Sequence, residues 1–310
     1  MKEYAFRIGA VVCALSASVV FAANIAVAQV GDAPSIERRL TAPGGLPSFE
    51  ITPEESILTG KDDLVILKRR DFFTLNANIA PNFTSNAFLS DANKHSDIVL
   101  NSAASIRAAT VIDQRYSVSA DAGLSTARHR NLSQLNYDTF SAGFGGSVRS
   151  EQWTYSLSYR FIYVSRPGGF NEHIVTQNNI AGSVSYRFDI DDDTAIFPSL
   201  SLSRIWADPK DFNNVSLTPG VSFVRRIAPD LLLSAAVQLS ARRYDDFFEA
   251  ATLENRRDFG ANTTIGLRWT PRANITVLGG VGFGLVNSSI DSVDYKNYSA
   301  TPSISAQFSF

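Results

Sequence analysis

Trp153-Thr154-Tyr155-Ser156-Leu157-Ser158-Tyr159-Arg160-Phe161-Ile162-Tyr163 is the stretch that decides the fold. Every second residue from Trp153 to Tyr163 is aromatic or leucine, while Thr154, Ser156, Ser158 and Arg160 fill the gaps. Successive side chains of a strand point to opposite faces, so one face here is wholly apolar and the other small and polar. The split recurs in Leu231, Leu233, Ala235, Val237 and Leu239 against Ser234, Ala236, Gln238 and Ser240. It recurs again in Phe259, Ala261, Thr263, Ile265, Leu267 and Trp269 against Gly260, Asn262, Thr264 and Arg268. A soluble sandwich would carry charge along its outer face. Small polar residues instead suit a lumen, and aromatics at strand ends suit membrane interfaces.

Outward from this stretch the pattern predicts strands near 72–83, 97–110, 114–127, 138–150, 152–165, 175–188, 194–206, 215–226, 231–243, 257–269, 274–286 and 300–310. Tight turns at Ile112-Asp113-Gln114, Ser150-Glu151, 189–193, Ile227-Ala228-Pro229-Asp230 and Thr270-Pro271-Arg272 alternate with longer segments near 84–96, 128–137, 166–174, 207–214, 244–256 and 287–299. Short periplasmic turns alternating with long external loops mark an outer-membrane barrel, and an even strand count puts both termini in the periplasm. The expected fold is therefore all-β: a transmembrane antiparallel up-and-down β-barrel of about twelve strands occupying 71–310. Backbone groups find no water in hydrocarbon, so the first strand must close onto the last. That last strand alternates Pro302, Ile304, Ala306, Phe308 and Phe310 with serines and Gln307, and its terminal Phe310 is read as an assembly signal.

The N-terminus sets the compartment. Lys2 and Arg7 precede an uncharged, mostly apolar stretch over 8–21, and Ala26-Val27-Ala28 supplies an A-x-A site before Gln29. This reads as a signal peptide (1–28) cleaved after Ala28. Cys13, the single cysteine, lies within it in Val11-Val12-Cys13-Ala14, without the small residue that precedes a lipidated cysteine. The mature chain has no thiol to mispair in an oxidising periplasm. Residues 29–70, punctuated by Pro34, Pro43, Gly44, Gly45, Pro47 and Pro53, read as a periplasmic linker. Beyond the first thirty residues no run is apolar enough for a membrane helix, although 45% of the chain is hydrophobic. A net charge of −2 makes no case for nucleic acid.

Several short motifs carry a family resemblance: Thr84-Ser85-Asn86-Ala87-Phe88-Leu89-Ser90, Arg243-Tyr244-Asp245, Arg256-Arg257-Asp258, Asn287-Ser288-Ser289, Asp294-Tyr295 and the terminal Phe310. With these, the region 72–310 resembles the β-barrel porin family of proteobacterial outer membranes. It is broadly similar to the barrel part of surface lipoprotein assembly modifiers, whose helical-repeat region before the barrel has no counterpart here. The resemblance implies a porin-type barrel, and a link to surface-polysaccharide or surface-export functions.

Strand parity places Arg107, Arg115, Arg149, Arg160, Arg187, Arg226 and Arg268 on the lumen side, most near the periplasmic ends of their strands, with Asp121 as the clear inward acid. Such arginines either hold a potential that favours anions or pair with carboxylates and fill the barrel. The linker acids Glu50, Glu54, Glu55, Asp62 and Asp63 could fold back as a plug over them. Arg243-Tyr244-Asp245 and Arg256-Arg257-Asp258 flank one external loop and predict an Arg–Asp latch across its base. The acidic run 189–193 lacks the glycine and distal glutamate of a calcium loop and reads as a solvated turn. A hydrolase would need Ser and His in contact. Ser125 and His129 share a face but stand about 13 Å apart along an extended strand. Asp97, Asp138, Asp245 and Asp246 are the acids that could join His129 in a protease-type site.

The expectation is a non-enzymatic pore for small or anionic solutes, or the outer-membrane component of polysaccharide or macromolecule export. A filled, adhesin-like barrel is the alternative, with a membrane-embedded hydrolase last. No cofactor or metal is expected. The partners are outer-membrane lipid and lipopolysaccharide, the barrel assembly machinery, an anionic solute or polysaccharide and a periplasmic export partner, with no nucleic acid.

Overall fold

The computed structural model describes residues 73–89, 94–112, 115–168, 172–249, 254–290 and 294–309. The expected signal peptide, the linker with Glu50, Glu54, Glu55, Asp62 and Asp63, and the residues Phe72 and Phe310 lie outside the described residues.

Thirteen strands follow one another: β1 (Phe73–Thr84), β2 (Asp97–Ile112), β3 (Tyr116–His129), β4 (Tyr137–Ser150), β5 (Trp153–Ser165), β6 (His173–Tyr186), β7 (Phe188–Asp191), β8 (Thr194–Asp208), β9 (Asn214–Ala228), β10 (Leu231–Glu249), β11 (Glu254–Arg272), β12 (Ile275–Ser288) and β13 (Tyr295–Ser309). β6 and β7 flank Arg187 and both pair with β8, so together they make one wall strand. The result is a closed, up-and-down barrel of twelve antiparallel wall strands, each paired with its sequence neighbours. Closure runs through β1 and β13, where Leu75 faces Phe308, Ala77 faces Ala306 and Ile79 faces Ile304. Inside that seam the Thr301 hydroxyl donates to Asn82 Oδ1 at 2.6 Å. Sealing the ladder leaves no row of backbone groups unpaired in hydrocarbon, where each costs several kcal/mol.

The alternation holds around the wall. Leu157, Phe259 and Ile304 are 63%, 65% and 61% exposed, as are many other large apolar side chains of the outward set. In water such a belt would drive aggregation, whereas against acyl chains it costs nothing. Aromatic pairs stiffen it, with Phe144 and Tyr159 centroids 5.3 Å apart and Phe283 and Tyr298 5.0 Å apart.

Strand bounds follow the sequence reading along the wall and depart from it at both ends: at the turn end β7 covers 189–191 of the turn expected over 189–193, and β11 runs to Arg272 through the turn expected at Thr270-Pro271-Arg272. β10 and β11 run to Glu249 and from Glu254, through the segment read as the loop 244–256. β13 begins at Tyr295 rather than near residue 300. These extensions carry charge on both faces, which resembles loop. Above the hydrocarbon, polar side chains do not prevent a ladder from continuing.

Candidate functional site: the lumen and its mouth

Twelve strands spaced about 4.8 Å apart and tilted near 40° enclose a cylinder about 24 Å across. Two facing side-chain layers fill only about 10 Å, so the wall cannot fill the barrel by itself. The wall facing inward is also small. Ser117 and Ser147, Ser156 and Ser183, and Ser203 and Ser216 form cross-strand hydroxyl pairs, each 2.7 Å apart. Glycine contributes at Gly145, where an added Cβ would lie 2.9 Å from the Leu157 carbonyl, so β5 approaches more closely than a side chain permits.

Onto this wall the strands set guanidinium groups. One hydrogen-bonded row runs Arg107–Asp121–Gly143–Arg160 across β2 to β5. Arg160 Nη2 stands 3.5 Å from Asp121 Oδ1, both side chains largely buried. Arg226 and Arg268 both lie opposite Leu232 in a second row, close to the turns. Arg149 takes an inward position one residue before the end of β4. Arg115 is exposed in the turn before β3, and Arg187 lies in the break between β6 and β7. Two of the turn acids have guanidinium partners: Arg187 Nε donates to Asp189 Oδ1 at 2.6 Å, and Arg226 Nη1 lies 3.7 Å from Asp193 Oδ1. The run 189–193 is thus partly ion-paired rather than simply solvated.

At the other end of the cylinder, described loop residues pack inward at the mouth. Val99, Ala127, Tyr137, Ile162, Val164 and Val175 project inward and bury Ala87, Leu135 and Phe212 from three different loops. A second cluster joins Leu89 to Val286 on β12 and Tyr295 on β13. Residues 85–89 therefore form a strap with Ala87 in one cluster and Leu89 in the other. Asn297 Oδ1 anchors it, accepting from the Thr84 hydroxyl at 2.9 Å, the Ser85 hydroxyl at 3.2 Å and the Asn86 amide at 3.1 Å.

Two buried polar devices hold the mouth. In the first, Asp97 accepts from the Ile98 amide (2.8 Å), the Asn131 amide (3.2 Å), Asn131 Nδ2 (3.1 Å) and the Leu132 amide (3.2 Å). His129 Nδ1 lies 3.1 Å from Asp97 Oδ2, with both side chains fully buried. A carboxylate can only accept, so Nδ1 carries the proton. In the second, Arg256 donates to Asp258 through Nε (2.9 Å) and Nη2 (2.6 Å) and stacks 4.4 Å from the Tyr244 ring centroid. Ser288 Oγ donates to Asp258 Oδ1 at 2.6 Å.

The sequence reading is corrected at three points. Asp97 and Asp258 are inward acids alongside Asp121: both stand within the strands read over 97–110 and 257–269 and share the inward parity of Arg107 and Arg268. The expected Arg–Asp latch is split: Arg256 pairs with Asp258 on its own strand and reaches β10 through Tyr244, while Asp245 pairs with Arg204 on the outer face. Of the described acids considered beside His129, Asp97 meets it, Asp138 pairs with Arg128 and Asp245 with Arg204, and among the described residues no hydrogen bond joins Ser125 to His129. Extending strand parity backward from Gly260 and Asn262 would have placed Arg256 and Asp258 inward, and from Asn101 would have placed Asp97 there.

A closed antiparallel barrel, apolar outside and polar within, is a transmembrane β-barrel of the outer-membrane kind. Comparison with known proteins agrees at the level of fold. No family model and no curated protein matches the chain. An outer-membrane channel from Pseudomonas putida F1 shares the fold with a TM-score of 0.53 and 11% identity, covering 76% of this chain and 95% of that one. Looser likenesses include the transport unit of the autotransporter AIDA-I from Escherichia coli (TM-score 0.46, 10% identity, 82% of this chain and 97% of that one). The KdgM porin solved with disordered oligogalacturonate gives a TM-score of 0.40 at 8% identity, over 75% of this chain and 99% of that one.

Proposed function

We propose that the chain is an outer-membrane channel for small anionic solutes, with a lumen accessible from the turn end and a mouth closed at the loop end. The observation that carries this is the charge of the inward wall: Arg107, Arg149, Arg160, Arg226 and Arg268 project from a surface rich in Ser, Thr, Gly, Ala and Asn, interrupted near the turn end by the apolar cluster of Phe197, Val224 and Leu232, and among the described wall residues below the mouth Asp121 is the carboxylate set against them. Guanidinia confined in a narrow cylinder focus a positive potential and admit anions preferentially. The shared fold with a channel supports the same reading. An acidic polysaccharide would meet the same row through its successive carboxylates, as the export reading requires.

Reversal potentials in planar bilayers under a salt gradient test the proposal. Replacing Arg107 and Arg160 together by Gln should lower the anion-to-cation permeability ratio about fivefold, and an unchanged ratio overturns it. Deleting 30–60 tests the acidic plug, since release of the guanidinia should raise conductance, and an unchanged conductance discards that role. Cleavage after Ala28 would give a mature chain whose N-terminal sequence starts at Gln29. A second reading, a filled barrel presenting its loops, is favoured by the packed mouth; absence of conductance in correctly folded protein would select it.

A further inference from the structure

The outer face above the apolar belt carries cations that the lumen does not use. On β8 to β11 one hydrogen-bonded row runs Arg204–Val215–Arg243–Arg257, all pointing outward. The next outward row toward the membrane centre is Leu202–Leu217–Ala241–Phe259, wholly apolar. The guanidinium row therefore sits one step above hydrocarbon, where Trp206, 5.5 Å from the Arg204 guanidinium, marks the interface.

Arg243 and Arg257 are direct cross-strand partners, both exposed. Like charges placed opposite one another destabilise a ladder. Of the described acids beside them, Asp245 hydrogen-bonds Arg204 and offers Arg243 only a through-space attraction, and Asp258 faces the lumen against Arg256. Among the described residues, neither Arg243 nor Arg257 makes an ion pair. Two planar forks side by side match the oxygens of one phosphate, and the apolar row beneath matches acyl chains joined to it.

We propose that Arg243 and Arg257, with Arg204 beside them, form a site for the phosphorylated headgroup of a glycolipid in the leaflet at the loop end. The apolar row beneath distinguishes this amphiphile from free phosphate. The site stands whether or not the lumen conducts.

The test uses the full-length folded barrel in detergent micelles, titrated with bisphosphorylated lipid A. Arg243→Gln/Arg257→Gln should weaken binding about tenfold, while Arg130→Gln, on the exposed β3–β4 loop, should leave it unchanged. Dephosphorylated lipid A should bind both proteins equally weakly, and inorganic phosphate should not displace the phosphorylated lipid. Gel heat-modifiability verifies folding, and Arg257→Gln alone carries the comparison if the double variant does not assemble. Equal affinity of wild type and folded variant overturns the site, and so does displacement by inorganic phosphate.

Discussion

Replacing Asp97 by Ala removes the acceptor that holds the β3–β4 loop in the mouth. Four donors from Ile98, Asn131 and Leu132 converge on its carboxylate, together with His129 Nδ1 at 3.1 Å. Each buried donor left without its acceptor costs about 1–3 kcal/mol, because it stays dry and unmatched. The opposing contribution that keeps the loop seated is burial of Leu135 and part of Leu132, at about 1.5–3 kcal/mol for a fully buried leucine. The loss therefore exceeds what one leucine supplies, and the loop should leave the mouth while the wall, held by its closed ladder, stays folded. Two assays read this: amide hydrogen exchange over 130–136, which should accelerate by about two to three orders of magnitude, and single-channel conductance, which should rise. Asp97→Asn keeps one acceptor oxygen and should fall between wild type and Asp97→Ala. If Asp97→Ala leaves exchange over 130–136 and conductance as they were, the clamp is not what closes the mouth.

Three further expectations are smaller. Asn297→Ala strands the Thr84, Ser85 and Asn86 donors; exchange at 85–89 should quicken while 130–136 stays protected, showing that strap and clamp are separate. Gly145→Ala pushes a methyl against the Leu157 carbonyl and should destabilise the folded barrel by about 1–3 kcal/mol in urea unfolding, whereas Gly279→Ala meets nothing within 4 Å and should be silent. At the turn end of β7, the Asp193 amide, donating at 2.9 Å, and the Thr194 side chain hold the Asp191 carboxyl below its ordinary range. A depressed carboxylate stabilises the fold above its unfolded pKa and loses that contribution as pH falls through the folded value. The difference in melting temperature between wild type and Asp191→Ala should therefore be present at neutral pH, begin to shrink below about pH 3.9 and disappear once the pH lies below the folded-state value, and a difference that never shrinks on acidification contradicts the cap.

The wall was legible because its cause is local. One residue in two must face acyl chains, and that period is visible in eleven consecutive residues such as 153–163. The mouth was not, because its contacts join residues far apart in the chain. Thr84 meets Asn297 across the closing seam, and Asp97 meets the amides of Asn131 and Leu132 across a hairpin. Asp97 reads as an acid at the outermost position of a strand and His129 as a loop histidine, because a short polar segment has no period from which to infer burial. Arg107 and Arg160 were placed inward by parity alone, yet their position on one row with Asp121 needed the register between four strands.

Register also explains why the scattered motifs belong together. Thr84 to Leu89 make the strap, Tyr244 stacks under Arg256, Asp258 receives Ser288, the Ser288 amide donates to Asp294 Oδ1 at 2.6 Å, and Tyr295 packs on Leu89. Each motif is a few residues from β1, β10, β11, β12 or β13, and the closed ladder brings their loop ends to one rim. The chain thus spends its least periodic sequence on closing the mouth and its most periodic sequence on the wall. That division gives the barrel a direction. Under the proposed channel function, anions would meet the arginine rows from the turn side, and passage onward would require the strap and the Asp97 clamp to yield. Since the strap is anchored on β13 and the clamp on β2, either can open without breaking the β1–β13 seam that keeps the cylinder sealed.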